Sequence, residues 1–305
     1  MAPNGLPNAV SGERRVIETN SGKIGFYRSP AARSVSPAAA RPLLLIHSIN
    51  AAGSSYEVRP IYEHFRDDRP VYAIDLPGFG FSERSDRIYS PRLMVDAVHA
   101  MAALVCREQE CRSIDALALS LSSEFLARAA SERPELFQRL AFVSPTGFDK
   151  RAPYLEKGGT TRARPAMYRI FRFPLWDRAF YRALTSRRSI RYFLERTWGS
   201  KNIDEGMLEY DYLTTHQPGA RFAPYYFVSG YLFSLDITRV YQSLAMPVWL
   251  SHGVRGDFQD YSYAGKLARW ANWSVTEFQT GALPHFEATG DFLGRTRAFL
   301  EQEAS

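Results

Sequence analysis

Asp115-Ala116-Leu117-Ala118-Leu119-Ser120-Leu121-Ser122 runs directly into Ser123-Glu124-Phe125-Leu126-Ala127-Arg128-Ala129-Ala130. The first half has the pattern of a buried strand, the second that of a helix with one apolar face. A serine at the apex of so sharp a strand-to-helix turn projects its hydroxyl over the sheet edge. The N–H groups of the new helix then point at whatever that hydroxyl attacks. Such an elbow is usually written G-x-S-x-G, because the strand and helix backbones pass close together and the serine is strained. Here the glycine positions hold Ala118 and Ser122, small but not glycine. Ser122 as the reactive group would put Glu124 at the close-contact position, so Ser120 is the candidate nucleophile. Serine also caps helices well, a role open to Ser120, Ser122 and Ser123.

Outward from this turn, Leu43-Leu44-Leu45-Ile46-His47, Val71-Tyr72-Ala73-Ile74-Asp75 and Leu140-Ala141-Phe142-Val143-Ser144 are short, continuously apolar runs. They suit strands of a parallel sheet buried on both faces. Met246 to His252 and Ser274 to Phe278 read as two more. Helices are expected from Pro91 to about Arg107, from Ser262 to Trp270, and from about Gly290 onward. Residues 15–19 and 23–28 read as a strand pair about Asn20-Ser21-Gly22, residues 1–12 as disordered, and Ser29 to Arg41 as a loop. Strands alternating with helices predict the α/β class, a doubly wound, mostly parallel sheet. The pattern lapses between Lys150 and about Leu235. The expected organisation is therefore a core of residues 1–149 and 238–305, and a helical, Arg- and aromatic-rich cap of residues 150–237 over the sheet's carboxyl edge, where open α/β sheets bind ligands.

With 305 residues, 45% hydrophobic and 23% charged, the chain has the balance of a folded globular protein. No apolar stretch is long enough to span a bilayer. The start shows neither a basic leader nor an apolar segment, and the two cysteines, Cys106 and Cys111, suit a reducing compartment, so a cytoplasmic protein is expected. Neither they nor the six histidines form a metal-ligand spacing, and no phosphate-binding glycine pattern is present. No metal and no cofactor is expected. The net charge of +6 is uneven: residues 150–201 hold 14 Lys/Arg against Glu156, Asp177 and Glu195, a net +11, leaving −5 elsewhere. No nucleic-acid motif accompanies this charge.

Four features in order give the chain its resemblance to the α/β-hydrolase superfamily, over residues 15–149 and 238–302. They are Ile46-His47-Ser48-Ile49-Asn50, Asp75-Leu76-Pro77-Gly78-Phe79-Gly80-Phe81-Ser82, the Ser120 turn, and Leu283-Pro284-His285-Phe286-Glu287. The resemblance implies a sheet of about eight strands and the order Ser, acid, His. His285, in a loop after the last strand, stands where the family places its base. Asp257 stands where it most often places the acid, with Asp260 and Asp149 as rivals. The oxyanion donors would be the backbone N–H groups of Leu121 and Ile49. No cofactor is implied.

The activity expected is hydrolysis of a small apolar ester through an acyl-enzyme. A serine at the elbow sets aside the branches that use a carboxylate nucleophile. It leaves open serine-based C–C hydrolases, lyases and perhydrolases on the same scaffold. From another class comes a hydrolase-like binding protein or receptor with little turnover. In the basic segment Ile190, Phe193, Leu194 and Trp198 fall on one helical face, with Arg188, Arg191 and Glu195 largely off it. Such a helix covers a pocket, apolar side inward and arginines outward. A basic aromatic helix also fits an anionic membrane surface, so peripheral membrane contact is the second expectation.

Overall fold

The computed structural model of the chain describes residues 5–29, 41–150, 153–256, 260–265 and 270–302. Eight strands form one sheet: β1 Glu13–Thr19, β2 Gly22–Arg28, β3 Leu43–Ile46, β4 Val71–Ile74, β5 Ile114–Leu119, β6 Phe137–Val143, β7 Val248–Gly253 and β8 Trp273–Phe278. Their spatial order is β1-β2-β4-β3-β5-β6-β7-β8. The first two form an antiparallel hairpin, β2 pairs antiparallel with β4, and every other pairing is parallel.

The central strands can be apolar throughout because helices cover both faces. Leu44, Ile46, Ala116, Ala118, Leu140 and Phe142 turn to one layer, with α2 (Pro91–Glu108) and α3 (Ser122–Glu132) packed on it. Their alternates Leu43, Leu45, Leu117, Leu119, Ala141 and Val143 turn to the other, with α1 (Arg59–Phe65) and the closing helix Thr289–Glu301. Ser90 caps α2 by accepting from Leu93 N–H, and Pro91 occupies the first turn, where a missing N–H leaves nothing unsatisfied.

Several expectations need correction. Residues 5–12 are ordered against the core: Leu6, Ala9 and Val10 are buried, and Ala9 N–H donates to the Tyr27 hydroxyl at 3.0 Å. His285 lies in a short helix, Pro284–Glu287, rather than a loop. Most of the Ser29–Arg41 loop and residues 266–269 of the Ser262–Trp270 helix lie outside the described residues.

Between β6 and β7 the chain forms helices α4 (Pro165–Phe171), α5 (Asp177–Leu184), α6 (Arg187–Trp198), α7 (Glu205–Thr215), α8 (Phe222–Val228) and α9 (Ile237–Gln242). They sit on the loops that leave the carboxyl ends of the strands. Tyr181 reaches the Ala51 carbonyl at 3.4 Å, Arg84 donates to the Thr214 carbonyl at 2.6 Å, and Thr197 O accepts from Ala282 N–H at 2.9 Å. Ile190, Leu194 and Trp198 are buried as a face of α6, but Phe193 is exposed, and so is a run of apolar side chains between Ile170 and Phe180. The expectation that the apolar residues of this segment all turn inward is therefore wrong.

At the amino end of β5 the buried Asp115 carboxylate meets the equally buried Arg69 guanidinium at 2.9 Å and Arg41 at 3.3 Å. Removing one side of such a pair leaves a charge in a dry site. Arg69→Met should lower unfolding free energy by about 3–5 kcal/mol in urea denaturation.

Candidate active site

Ser120 follows the last residue of β5 and precedes α3 by one residue. Its φ is +50°, a left-handed conformation that a non-glycine residue holds only when its surroundings fix it. Three bonds do so. Ser120 N–H donates to the Val143 carbonyl of the neighbouring strand at 2.8 Å, Ser123 N–H donates to Ser120 O at 3.1 Å, and Ser122 Oγ donates to the His47 carbonyl at 2.6 Å. The serine in place of the second elbow glycine thus ties the turn to the exit of β3. Ser120 itself is partly exposed.

Leu121 lies within this turn and Ile49 in the loop after β3, the strand paired with β5, and both are buried. No hydrogen bond to a described residue occupies either N–H. The loop carrying Ile49 is organised by Glu57, a residue the sequence reading passed over. Its buried carboxylate accepts from Ser48 N–H at 2.6 Å and from Asn50 Nδ2 at 2.7 Å. Asp75 does the same for the next loop, accepting from Ser55 N–H at 2.7 Å, Ser55 Oγ at 2.8 Å and Phe81 N–H at 3.0 Å. Its carboxylate lies where a side chain on Gly80, φ +49°, would go, which is why that position is glycine.

His285 is not arranged as expected. Its ring is fully buried beside Phe286 and Phe292. Its Nε2 is engaged by the Glu57 carbonyl at 2.7 Å, and its Nδ1 has no hydrogen-bond partner among the described residues. No hydrogen bond joins the Ser120 hydroxyl to His285, nor a carboxylate to its other nitrogen, among those residues. Burial in this apolar niche pushes the imidazole down to about 4, against a smaller opposing effect of the Glu57 carbonyl.

The rival acids are also employed elsewhere. Both oxygens of Asp149 accept from the Tyr154 hydroxyl at 2.9 Å. Asp260 accepts from Lys150 N–H and from Ser262. Neither is hydrogen-bonded to His285 in this arrangement, and Asp257 lies outside the described residues. His47 has both ring nitrogens occupied, by Leu76 N–H and the Ser48 carbonyl, and is structural. His252 stacks on Tyr261 at 4.1 Å. Among the described residues no group of three or more His, Cys, Asp or Glu is placed to hold a metal.

Glu124, in the first turn of α3, was also missed as a functional link. Fully buried, it accepts from Thr146 Oγ1 at 2.5 Å and from Ser234 N–H at 2.9 Å, joining the serine's helix to the returning end of the helical insertion. Burial raises its carboxyl to about 7, partly opposed by those hydrogen bonds. No spacing rule marks such a residue; its one sequence signal is a carboxylate on the side of α3 that otherwise carries small and apolar residues.

With this geometry established, known proteins give the comparison. The sequence profile of the Alpha/beta hydrolase family matches residues 43–294. The 1-acylglycerol-3-phosphate O-acyltransferases ABHD5 of Rattus norvegicus and Mus musculus are each 30% identical over 150 residues, which is 47% of this chain and 37% of theirs. The chain thus matches well under half the length of these curated relatives. Among solved structures, a probable hydrolytic enzyme from Pseudomonas aeruginosa PAO1 superposes with a TM-score of 0.72 at 16% identity, over 98% of this chain and 96% of that one. An esterase from Exiguobacterium antarcticum gives 0.70 at 11% identity, over 95% and 100%. The meta-cleavage product hydrolase from Pseudomonas fluorescens IP01 gives 0.67 at 15% identity, over 93% and 96%. At these identities the likeness is one of fold.

Two titrations within this site run in opposite directions. The fold holds His285 neutral, so between pH 6.5 and about 4 the unfolded chain binds a proton that the folded chain does not, and stability falls as pH drops. The fold holds Glu124 protonated, so between pH 4.5 and about 7 stability falls as pH rises. Each effect amounts to about 3 kcal/mol across its window, and in the native protein they largely cancel. In urea titrations His285→Gln should therefore lose stability as pH rises from 4.5 to 7. Glu124→Gln should gain it over nearly the same range, and equal slopes in both variants would refute the assignment.

Proposed function

The chain belongs to the alpha/beta hydrolase family, and on that premise we propose that it is a serine hydrolase cleaving an apolar carboxylic ester, or a related acyl bond, through an acyl-enzyme on Ser120. The left-handed backbone of Ser120 at the strand-to-helix turn carries this reading: a φ of +50° is costly for serine, by about 1–3 kcal/mol, and is of use where the hydroxyl must stand clear of the sheet. The hydroxyl gives its proton to a base as it attacks the carbonyl. The C–O bond to the alcohol breaks and the alcohol leaves with that proton, and water then splits the acyl-serine bond to release the acid. The N–H groups of Leu121 and Ile49 take up the developing oxyanion charge, one such donor being worth about 3 kcal/mol of barrier. His285 is the proposed base, with Asp257 its orienting carboxylate. In this role the ring leaves the Glu57 carbonyl and turns toward Ser120. The apolar preference is supported by the aromatic insertion over the sheet edge, where Tyr181 meets the loop that carries Ile49. An esterase among the fold relatives agrees with ester substrates.

The engagement of His285 with Glu57 favours a second reading: a hydrolase-like ligand-binding protein with little turnover, in which the serine is left without a base.

Fluorophosphonate labelling and hydrolysis of p-nitrophenyl esters separate the two. The hydrolase labels at Ser120, and Ser120→Ala lowers ester hydrolysis at least about a thousandfold with unchanged unfolding. His285→Ala falls comparably. A wild-type protein that neither labels nor turns over esters, yet binds an apolar ester, would establish the binding protein instead.

A further inference from the structure

Helix α4 buries none of its side chains. Between it and the middle of α5, Ile170, Phe173, Leu175, Trp176 and Phe180 are exposed, from 37% for Phe180 to 82% for Leu175. They fall within one short stretch of chain, and several touch one another. Phe173 and Trp176 lie 4.5 Å apart between ring centroids, Trp176 Nε1 donates to the Ile170 carbonyl at 3.0 Å, and Phe180 stacks on Phe171 at 5.1 Å. The indole's single polar group is thus satisfied within the patch, leaving its ring free of polar demands.

The inner side of α5 is already committed. Asp177 and Tyr181 are buried there; Arg221 meets the Asp177 carboxylate at 3.0 Å, the Tyr225 hydroxyl its backbone carbonyl at 2.6 Å, and Tyr181 the Ala220 carbonyl at 3.0 Å. These bonds fix α5 with its apolar and basic residues facing out. Around the patch, Arg169, Arg178 and Arg182 are exposed and pair with no acidic side chain among the described residues. Arg172 is paired with Asp86 at 2.9 Å.

We infer that this surface, from Arg169 to Arg182, seats the protein on an anionic lipid surface. Apolar side chains ringed by unpaired arginines are the pattern of a protein face that lies in the headgroup region. The charge selects among occupants. A second copy of the chain would bring two sets of uncompensated arginines together, whereas anionic headgroups complement them. No helix among the described residues is long and apolar enough to cross a membrane, so the contact is one of lying on the surface. The opposite side of α5 touches the Ala51 carbonyl, in the loop that carries Ile49. Lipid docking would therefore hold the proposed acyl site close to apolar molecules dissolved in the membrane. The docking itself does not depend on the chemistry of Ser120.

Flotation of the full chain with vesicles tests this. The protein should float with phosphatidylcholine vesicles containing phosphatidylglycerol, at least about tenfold more than with phosphatidylcholine alone, and high salt should reduce binding. Leu175→Asp with Trp176→Asp should abolish flotation, and Arg169→Glu, Arg178→Glu and Arg182→Glu together should remove the preference for anionic vesicles. Both variants should still unfold cooperatively as wild type does, because the substituted side chains are exposed and the contacts Trp176 loses, to Phe173 and the Ile170 carbonyl, lie within the patch. Ser120→Ala should float like wild type, which separates failure of the docking from failure of the hydrolase reading. A wild-type protein left in the dense fraction with anionic vesicles would overturn the inference. So would unchanged flotation of the Leu175→Asp, Trp176→Asp variant, or a lipid-free dimer that this variant abolishes.

Discussion

A carboxylate sealed beneath the loops at the end of a sheet must find donors or lose its charge. Glu57 finds them in Ser48 N–H and Asn50 Nδ2, and in doing so sets the course of the loop that carries Ile49. The same residue's backbone carbonyl takes the Nε2 of His285, far along the chain. One residue in a short 3-10 turn, Ser55–Val58, therefore holds both the proposed oxyanion loop and the imidazole. Its side chain and its carbonyl pull on different parts of the site, so any shift of that turn moves both. The elbow is connected to the same region through Ser122, whose hydroxyl reaches the carbonyl at the end of β3.

The helical insertion is fastened to this framework by polar contacts at few points. Glu124 and Arg128, both on α3, hold Ser234 and Asp236; Arg128 meets Asp236 at 2.5 Å. Arg84 holds the end of α7, and Tyr56 stacks on Tyr210 of the same helix at 5.1 Å. The helix that follows Ser120 is thus also an anchor for the insertion.

The alternation of apolar strands and helices was legible because each central strand is buried on both faces and so carries an unbroken apolar run, and the small residues around Ser120 were legible because two backbones converge there. The orientation of His285 was not legible, for a physical reason. Position after the last strand says where a ring enters the fold, but its orientation depends on Glu57, a contact between residues remote in sequence and marked by no pattern. Residues 1–12 read as disordered, yet within the described part Leu6, Ala9 and Val10 find a niche beside Tyr27 and Tyr62 that no local reading could supply. The aromatics of 170–180 were expected inward on the premise that aromatic side chains must bury. That rule runs one way: cores are apolar, but not every apolar side chain is in a core.

The ordered amino-terminal segment has a mechanical meaning. Arg14 clasps the Leu6 and Pro7 carbonyls, and Tyr210 on α7 donates to Pro7 O at 3.1 Å. With Trp198 buried against Phe286, the α6–α7 half of the insertion is moored to the core from two sides. Helix α4 itself has no fully buried side chain, and its Tyr168 and Phe171 rings rest on Tyr226 and Tyr225 of α8 at 4.5 and 6.2 Å. The insertion is thus stitched to the chain's own amino-terminal segment on its α6–α7 side, and to its own aromatic neighbours on its α4 side.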